Sequence, residues 1–217
     1  MPNISTEDYI KAVYKLEGRG EKATTSALAA QLDVADASIT DMIKKLSDKG
    51  LLHYERYQGV ALTVRGRKIA LSTVRRHRLW EMFLVQFLGY SWDKVHDEAE
   101  RLEHVTSDAL EHQLDKALGF PMVDPHGDPI PAKDGTITGS DDSSLADCEV
   151  GDVVRISRVS DDNSEILLHA SQIGLALTSK LTIKEKKGFD GSMVVKIGSK
   201  QQFISKEVAQ SIFVQRV

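Results

Sequence analysis

Four of the chain's five prolines fall between Pro121 and Pro131, and neither a helix nor a central strand can run through such a stretch. Proline fixes φ and lacks the amide hydrogen that both structures need. Gly119, Gly127, Gly135 and Gly139 share the segment, which predicts an extended, partly ordered linker. It divides the 217 residues into two parts with different hydrophobic patterns. Before it, apolar residues recur at helical spacing; after it come short apolar runs separated by turn residues. The predicted fold class is therefore mainly α with a small β domain.

In the first part, Ser5-Thr6-Glu7-Asp8 ahead of Ile10, Val13, Tyr14 and Leu16 predicts a capped amphipathic helix ending near Gly18-Arg19-Gly20. A second helix is predicted from about Thr25 to Leu32. A third carries Ile39, Met42, Ile43 and Leu46 and stops at Lys49-Gly50. Two helices joined by the short break Asp33-Val34-Ala35-Asp36 suggest a helix-turn-helix. Two alternating runs, Leu51 to Tyr57 and Val60 to Val64, flank Gln58-Gly59 and predict the hairpin of a winged helix. A basic helix should follow from about Thr63 to Leu88, and another from about Asp93 to Leu118. Beyond the linker, Val153–Ile156, Ile166–Leu168, Lys180–Ile183 and Ser192–Ile197 read as strands of a small β-barrel, capped by a helix near Lys206 to Gln210.

No apolar run approaches the roughly 20 residues of a membrane span, and the start of the chain lacks the pattern of a signal peptide. The expected compartment is the cytoplasm, with no membrane partner. Cys148 is the only cysteine, so a disulfide within the chain and a thiolate-rich zinc site are both excluded. Net charge is −4, yet it is unevenly spread. Arg65, Arg67, Lys68, Arg75, Arg76 and Arg78 stand with no acid among them, whereas Asp93 to Asp115 is acidic and histidine-bearing. That segregation suggests one surface for phosphates and another region for cations, although charge alone favours two solvated helix faces.

A recognition helix presents small or hydrogen-bonding side chains to base edges at its start and cations to phosphates further along. Ala37, Ser38, Thr40 and Asp41, followed by Lys44 and Lys45, fit that requirement. Asp36 and Asp41 would repel phosphates, and are expected to cap the helix or to meet cytosine amino groups.

At about 100° per residue, His96, Glu100, Glu103 and His104 fall within an arc of roughly 100° on one helix. Nitrogen and oxygen donors on such a stripe can converge on a cation, and His77 with Glu81, one turn apart, can meet them from a second helix. Each residue alone reads as a solvated polar group. It is their combination that points to metal.

Asp8-Tyr9-Ile10, Arg76-His77-Arg78-Leu79-Trp80-Glu81, His96 through His104, and Gly119-Phe120-Pro121 through Gly127 resemble the metal-dependent repressors related to the diphtheria toxin repressor. The resemblance covers essentially the whole chain. It implies an N-terminal winged helix-turn-helix over 1–64, a helical metal-binding and dimerisation domain with linker over 65–140, and a C-terminal SH3-like, FeoA-type β-barrel over 141–217. It also implies a primary metal site of Asp8, His77, Glu100, Glu103 and His104, although spacing alone would make Asp8 the partner of Ser5 in a capping box. Glu81, Asp124, His126 and Asp161 are implied as a second site, with His96 as a further candidate. Iron-sensing relatives carry sulfur residues at the positions of Asp8 and Glu100. Two carboxylates there suit a hard ion such as Mn(II). Lys11 is a departure, standing where some short manganese sensors carry a glutamate.

The function implied is a metal-activated repressor, not an enzyme, that binds double-stranded palindromic operator DNA as a homodimer. Its cofactor is expected to be Mn(II) or Fe(II), with Co(II) or Zn(II) able to substitute in vitro. Two other classes compete: a dinuclear metalloenzyme, because helical carboxylates and histidines also build oxygen-activating sites, and a winged-helix regulator answering to a small molecule. His53, His112 and His169 are read as having no part in function.

Overall fold

The computed structural model describes residues 6–55, 59–139 and 141–217, which form two compact units. The first takes in the chain as far as His77 together with Pro131–Thr136; the second consists of Arg78–Ile130 and Ile137–Val217.

The first unit contains α1 (Thr6–Gly18), α2 (Thr25–Leu32), α3 (Asp36–Asp48), a hairpin of β1 (Leu52–Glu55) and β2 (Gly59–Leu62), and the start of α4 (Val64–Leu88). Ser5 lies outside the described residues, and with it the predicted cap of α1. α2 begins where Thr24 Oγ1 accepts the Ala27 amide at 3.1 Å, and it ends on Asp33, whose φ of 52° turns the chain toward α3. Ile39, Ile43 and Leu46 point inward from α3 and share one core with Ile10, Val13, Leu16, Leu28 and Leu52. Burying each of these stabilises the unit by about 1.5–3 kcal/mol. The hairpin pairs Leu52 with Leu62 and Tyr54 with Val60. It is pinned to the rest where the Val60 amide donates to the Ala23 carbonyl at 3.0 Å. This is the winged helix-turn-helix expected from the sequence, though residues 56–58 at the wing tip lie outside the described residues.

In the second unit the remainder of α4 is followed by α5 (Val95–Glu103) and α6 (Asp108–Ala117). The single helix expected from about Asp93 to Leu118 is thus two. Ser107 starts α6 by accepting the Leu110 amide on its Oγ at 3.2 Å. Next to it, Thr106 Oγ1 accepts the Trp80 indole N–H at 2.7 Å and donates to the Leu102 carbonyl, so the chain leaves α5 where polar side chains can hold it.

The C-terminal elements are β3 (Ser143–Ser144), β4 (Val153–Val159), α7 (Ser164–Gln172), β5 (Lys180–Lys186), β6 (Met193–Ile197), β7 (Lys200–Ile204), α8 (Lys206–Gln210) and β8 (Ile212–Arg216). Their antiparallel sheet runs β3-β8-β4-β5-β6-β7 and is open, so the expected barrel is not closed. Closure would require β7 to pair with β3, which has only two residues, both paired with β8. Ile166–Leu168 is helix rather than strand: Asn163 Oδ1 accepts the amides of Glu165 and Ile166, and α7 buries Leu167 and Ala170 at helical spacing. No helix among the described residues is long and apolar enough to cross a membrane.

Candidate metal centre

Glu81 is wholly buried on α4 and stands between two histidines. Its Oε1 lies 3.4 Å from His96 Nδ1, and its Oε2 lies 3.8 Å from His126 Nδ1. Asp161, just beyond β4, brings Oδ2 to 3.5 Å from the same nitrogen of His96. Asp124 Oδ1 is 4.0 Å from His126 Nδ1. The structure therefore brings together Glu81, His96, Asp124, His126 and Asp161, five residues drawn from α4, α5, the proline-rich segment and the turn that follows β4.

His126 shows what the cluster can take. Its Nε2 lies 2.8 Å from the Trp92 carbonyl, an acceptor, so the proton of the neutral ring sits on Nε2. Nδ1 then presents a lone pair, is buried, and makes no hydrogen bond among the described residues. A histidine whose far nitrogen is held by a carbonyl while the near one faces carboxylates has the form of a metal ligand with its outer support in place. Oxygen and nitrogen supply every donor. Cys148 is buried in the C-terminal core.

A second group lies along α5. Glu100, Glu103 and His104 offer donor atoms within 4.8 Å of one another, with Glu103 Oε1 3.5 Å from His104 Nε2. His104 is the C-cap of α5 and keeps helical angles, so the stripe survives the break that follows it. Asp8 and His77 belong to the first unit, Asp8 on the first turn of α1 and His77 on α4. Lys11 is buried one turn beyond Asp8.

Reading the sequence missed three residues around His126. Arg78, counted there among the cations of a phosphate surface, places Nε 3.4 Å from Asp124 Oδ2 and an amino group 3.2 Å from Asp128 Oδ1, and also donates to the Pro129 carbonyl. Arg158 lies 3.6 Å from the same oxygen of Asp128. Arg75 is likewise turned inward, donating to the Pro131 carbonyl at 2.8 Å. The phosphate surface is thus smaller than the run of cations suggested. Asp128 carried a faint signal, as an aspartate between Gly127 and Pro129.

Burial pushes Asp124 up to about 8, with Asp128 and Glu81 adding to the shift against Arg78 and His126. For His126 burial acts downward, but Glu81, Asp124 and the Trp92 carbonyl outweigh it and raise its pKa. A group whose pKa is raised by folding gives stability at low pH that is lost as pH rises through the folded value. Metal-free protein in chelator should therefore lose thermal stability between pH 6.5 and about 8, and Asp124→Asn should flatten that slope. Saturating Mn(II) should oppose the loss, since the deprotonated forms bind the ion. A melting temperature that climbs across this range in chelator would contradict the assignment.

On the predicted recognition helix, Ala37, Ser38, Asp41, Lys44 and Lys45 are exposed on α3 and Thr40 is half-buried. The N-cap of α3 is Ala35, not Asp36, and no side chain caps it. Thr40 Oγ1 donates to the Asp36 carbonyl at 3.0 Å, which leaves the hydroxyl oxygen as an outward acceptor.

Three family models match in succession: the iron-dependent repressor N-terminal DNA-binding domain over residues 3–60, the iron-dependent repressor metal-binding and dimerisation domain over 63–132, and the FeoA domain over 143–216. A solved manganese-dependent transcriptional repressor in complex with manganese is 39% identical and superposes with a TM-score of 0.93, covering 98% of this chain and 100% of its own. The chain belongs to the diphtheria toxin repressor family. Within that family, the iron-dependent repressor IdeR of Mycobacterium tuberculosis is 29% identical across 98% of this chain and 97% of its own. The diphtheria toxin repressor of Corynebacterium jeikeium is 35% identical, covering 67% of this chain and 60% of its own. The family is one of DNA-binding repressors, which sets aside the metalloenzyme reading.

Proposed function

We propose that this chain is a cytoplasmic, metal-activated repressor that binds a palindromic double-stranded operator as a homodimer, with Mn(II) or Fe(II) as its signal. The observation that carries this reading is the pair of sulfur-free donor groups, Glu100, Glu103 and His104 in one and Glu81, Asp124 and His126 in the other, in a chain that also carries a winged helix. Asp8, His77, Glu100, Glu103 and His104 hold the primary ion. Glu81, Asp124, His126 and Asp161, with His96, hold the second. Carboxylates in place of sulfur at Asp8 and Glu100 favour Mn(II), while Co(II) and Zn(II) are expected to bind in vitro.

A bound cation supplies the positive charge that lets these carboxylates share one point. Asp8 passes its own restraint to α3 through the core that Ile10 and Val13 share with Ile39 and Ile43. Two recognition helices of a dimer are then held at the spacing of a palindrome. Ser38 and Thr40 approach base edges, Ala37 and Asp41 flank them, and Lys44 and Lys45 meet phosphates. Residues 1–64, 65–140 and 141–217 are the corresponding DNA-binding, metal-binding and FeoA-type divisions.

Fluorescence anisotropy on an operator selected from random sequence tests the reading. Binding should be strong with Mn(II) and weak in chelator, and Lys44→Ala should lower the salt slope by about one. Equal affinity with and without metal would sink the mechanism.

A further inference from the structure

Three successive residues of β4 each engage the loop that carries His126. A Cβ on Gly127 would lie 2.1 Å from the Ser157 carbonyl oxygen, so the two backbones are in contact. Arg158 lies 3.6 Å from Asp128 Oδ1. The Val159 amide donates to the His126 carbonyl at 2.9 Å. They coincide with a register shift of β4 against β8 between Ile156 and Arg158, and bulges of this kind re-aim side chains next to functional sites. Arg158 is itself fixed, with its guanidinium 3.4 Å over the Phe213 ring.

From the other side the loop is held by Arg78, which reaches Asp124 Oδ2 and the same Asp128 Oδ1. Asp124 Oδ1 accepts the amides of His126 and Asp128 at 2.8 and 2.9 Å, closing the turn internally. Asp128 Oδ1 is therefore the point at which one cation from α4 and one from β4 converge. Between the two guanidinium groups, the turn has one place to sit.

We infer that Arg158 is a positioning residue for the second metal centre: through Asp128 it docks the turn onto β4 and so aims His126 Nδ1 at Glu81. The inference rests on the second centre proposed above. Among the described residues His126 Nδ1 has no hydrogen bond of its own to hold the ring; the ring's aim comes from the backbone on either side of it and from the Trp92 carbonyl. The ion pair of Arg158 is with Asp128, which is not one of the donors of the cluster. Its effect on metal runs through the loop.

The test is a calorimetric Mn(II) titration of the full chain, read together with the visible absorption of the Co(II) form, for wild type, Arg158→Met, Arg158→Lys, Asp128→Asn and His126→Ala. Arg158→Met keeps the aliphatic stem on Phe213 but removes the charge. It should leave the tighter step unchanged, weaken the second about 10-fold or more, and alter the Co(II) band belonging to that step. Asp128→Asn should behave the same way, and Arg158→Lys, which returns a cation, should recover most of the loss. Wild-type steps and band in Arg158→Met would overturn the inference. So would an equal weakening of both steps in Arg158→Met and Asp128→Asn with a lower melting temperature in chelator, because the pair would then support the fold rather than the site. Failure of the underlying reading looks different: His126→Ala would keep both steps, showing that no second centre exists at His126 whatever Arg158 does.

Discussion

Glu103→Gln is expected to abolish operator binding at every metal concentration that activates the wild type. Glu103 is wholly buried on α5, its carboxylate beside the His104 ring. Glutamine has nearly the same volume, so the substitution removes a charge without opening a cavity, and the metal-free fold should survive. What it removes is an anionic oxygen donor. Losing an outer-shell support typically costs about 10–100-fold in metal affinity, and a direct ligand should cost more. Calorimetry should therefore show the primary step gone while the step assigned to Glu81 and His126 persists, and anisotropy should show affinity no higher than in chelator. Wild-type metal binding and operator affinity in Glu103→Gln would reduce the α5 carboxylates to a solvated face and remove the primary site as assigned.

That separation between the two steps depends on features the sequence exposed unequally. The helical stripe from His96 to His104 was legible because its period is the helix's own, and it outlasts the unforeseen break at Thr106 and Ser107. α3 was equally plain, since Ile39, Ile43 and Leu46 fill one core. The Ile166–Leu168 run was misread because a short apolar stretch suits either a strand or a buried helix. The arbiter was Asn163, a side-chain cap three residues upstream. Asp124 and His126 were named only through family resemblance, and nothing in their spacing shows that Glu81 lies between His96 and His126. Arg78 and Arg158 were harder still. Arg78 reads as part of a basic surface and Arg158 lies beyond the predicted Val153–Ile156 strand, and only folding sets both against Asp128.

Gly127→Ala is expected to destabilise the metal-free protein by about 2–6 kcal/mol and to eliminate the second metal step. Two costs combine. Gly127 has φ of +90°, and an L side chain at so unfavourable a backbone conformation costs about 1–3 kcal/mol. The new methyl would also meet the Ser157 carbonyl oxygen at 2.1 Å, a backbone atom of a paired strand. It cannot swing aside as a flexible side chain would, so the turn must move, at a further cost of about 1–3 kcal/mol by analogy with overpacked cores. Gly174→Ala supplies the control: its φ is +79°, but a Cβ there would meet nothing within 4 Å. It should show the backbone cost alone and keep both metal steps. The difference between the two variants isolates the contact. A turn displaced from β4 carries His126 with it, since His126 is the preceding residue and its carbonyl is held by the Val159 amide. Melting temperature in chelator and calorimetric Mn(II) binding measure the two effects independently. If Gly127→Ala matches Gly174→Ala in both, the approach of the turn to β4 has no bearing on where His126 points.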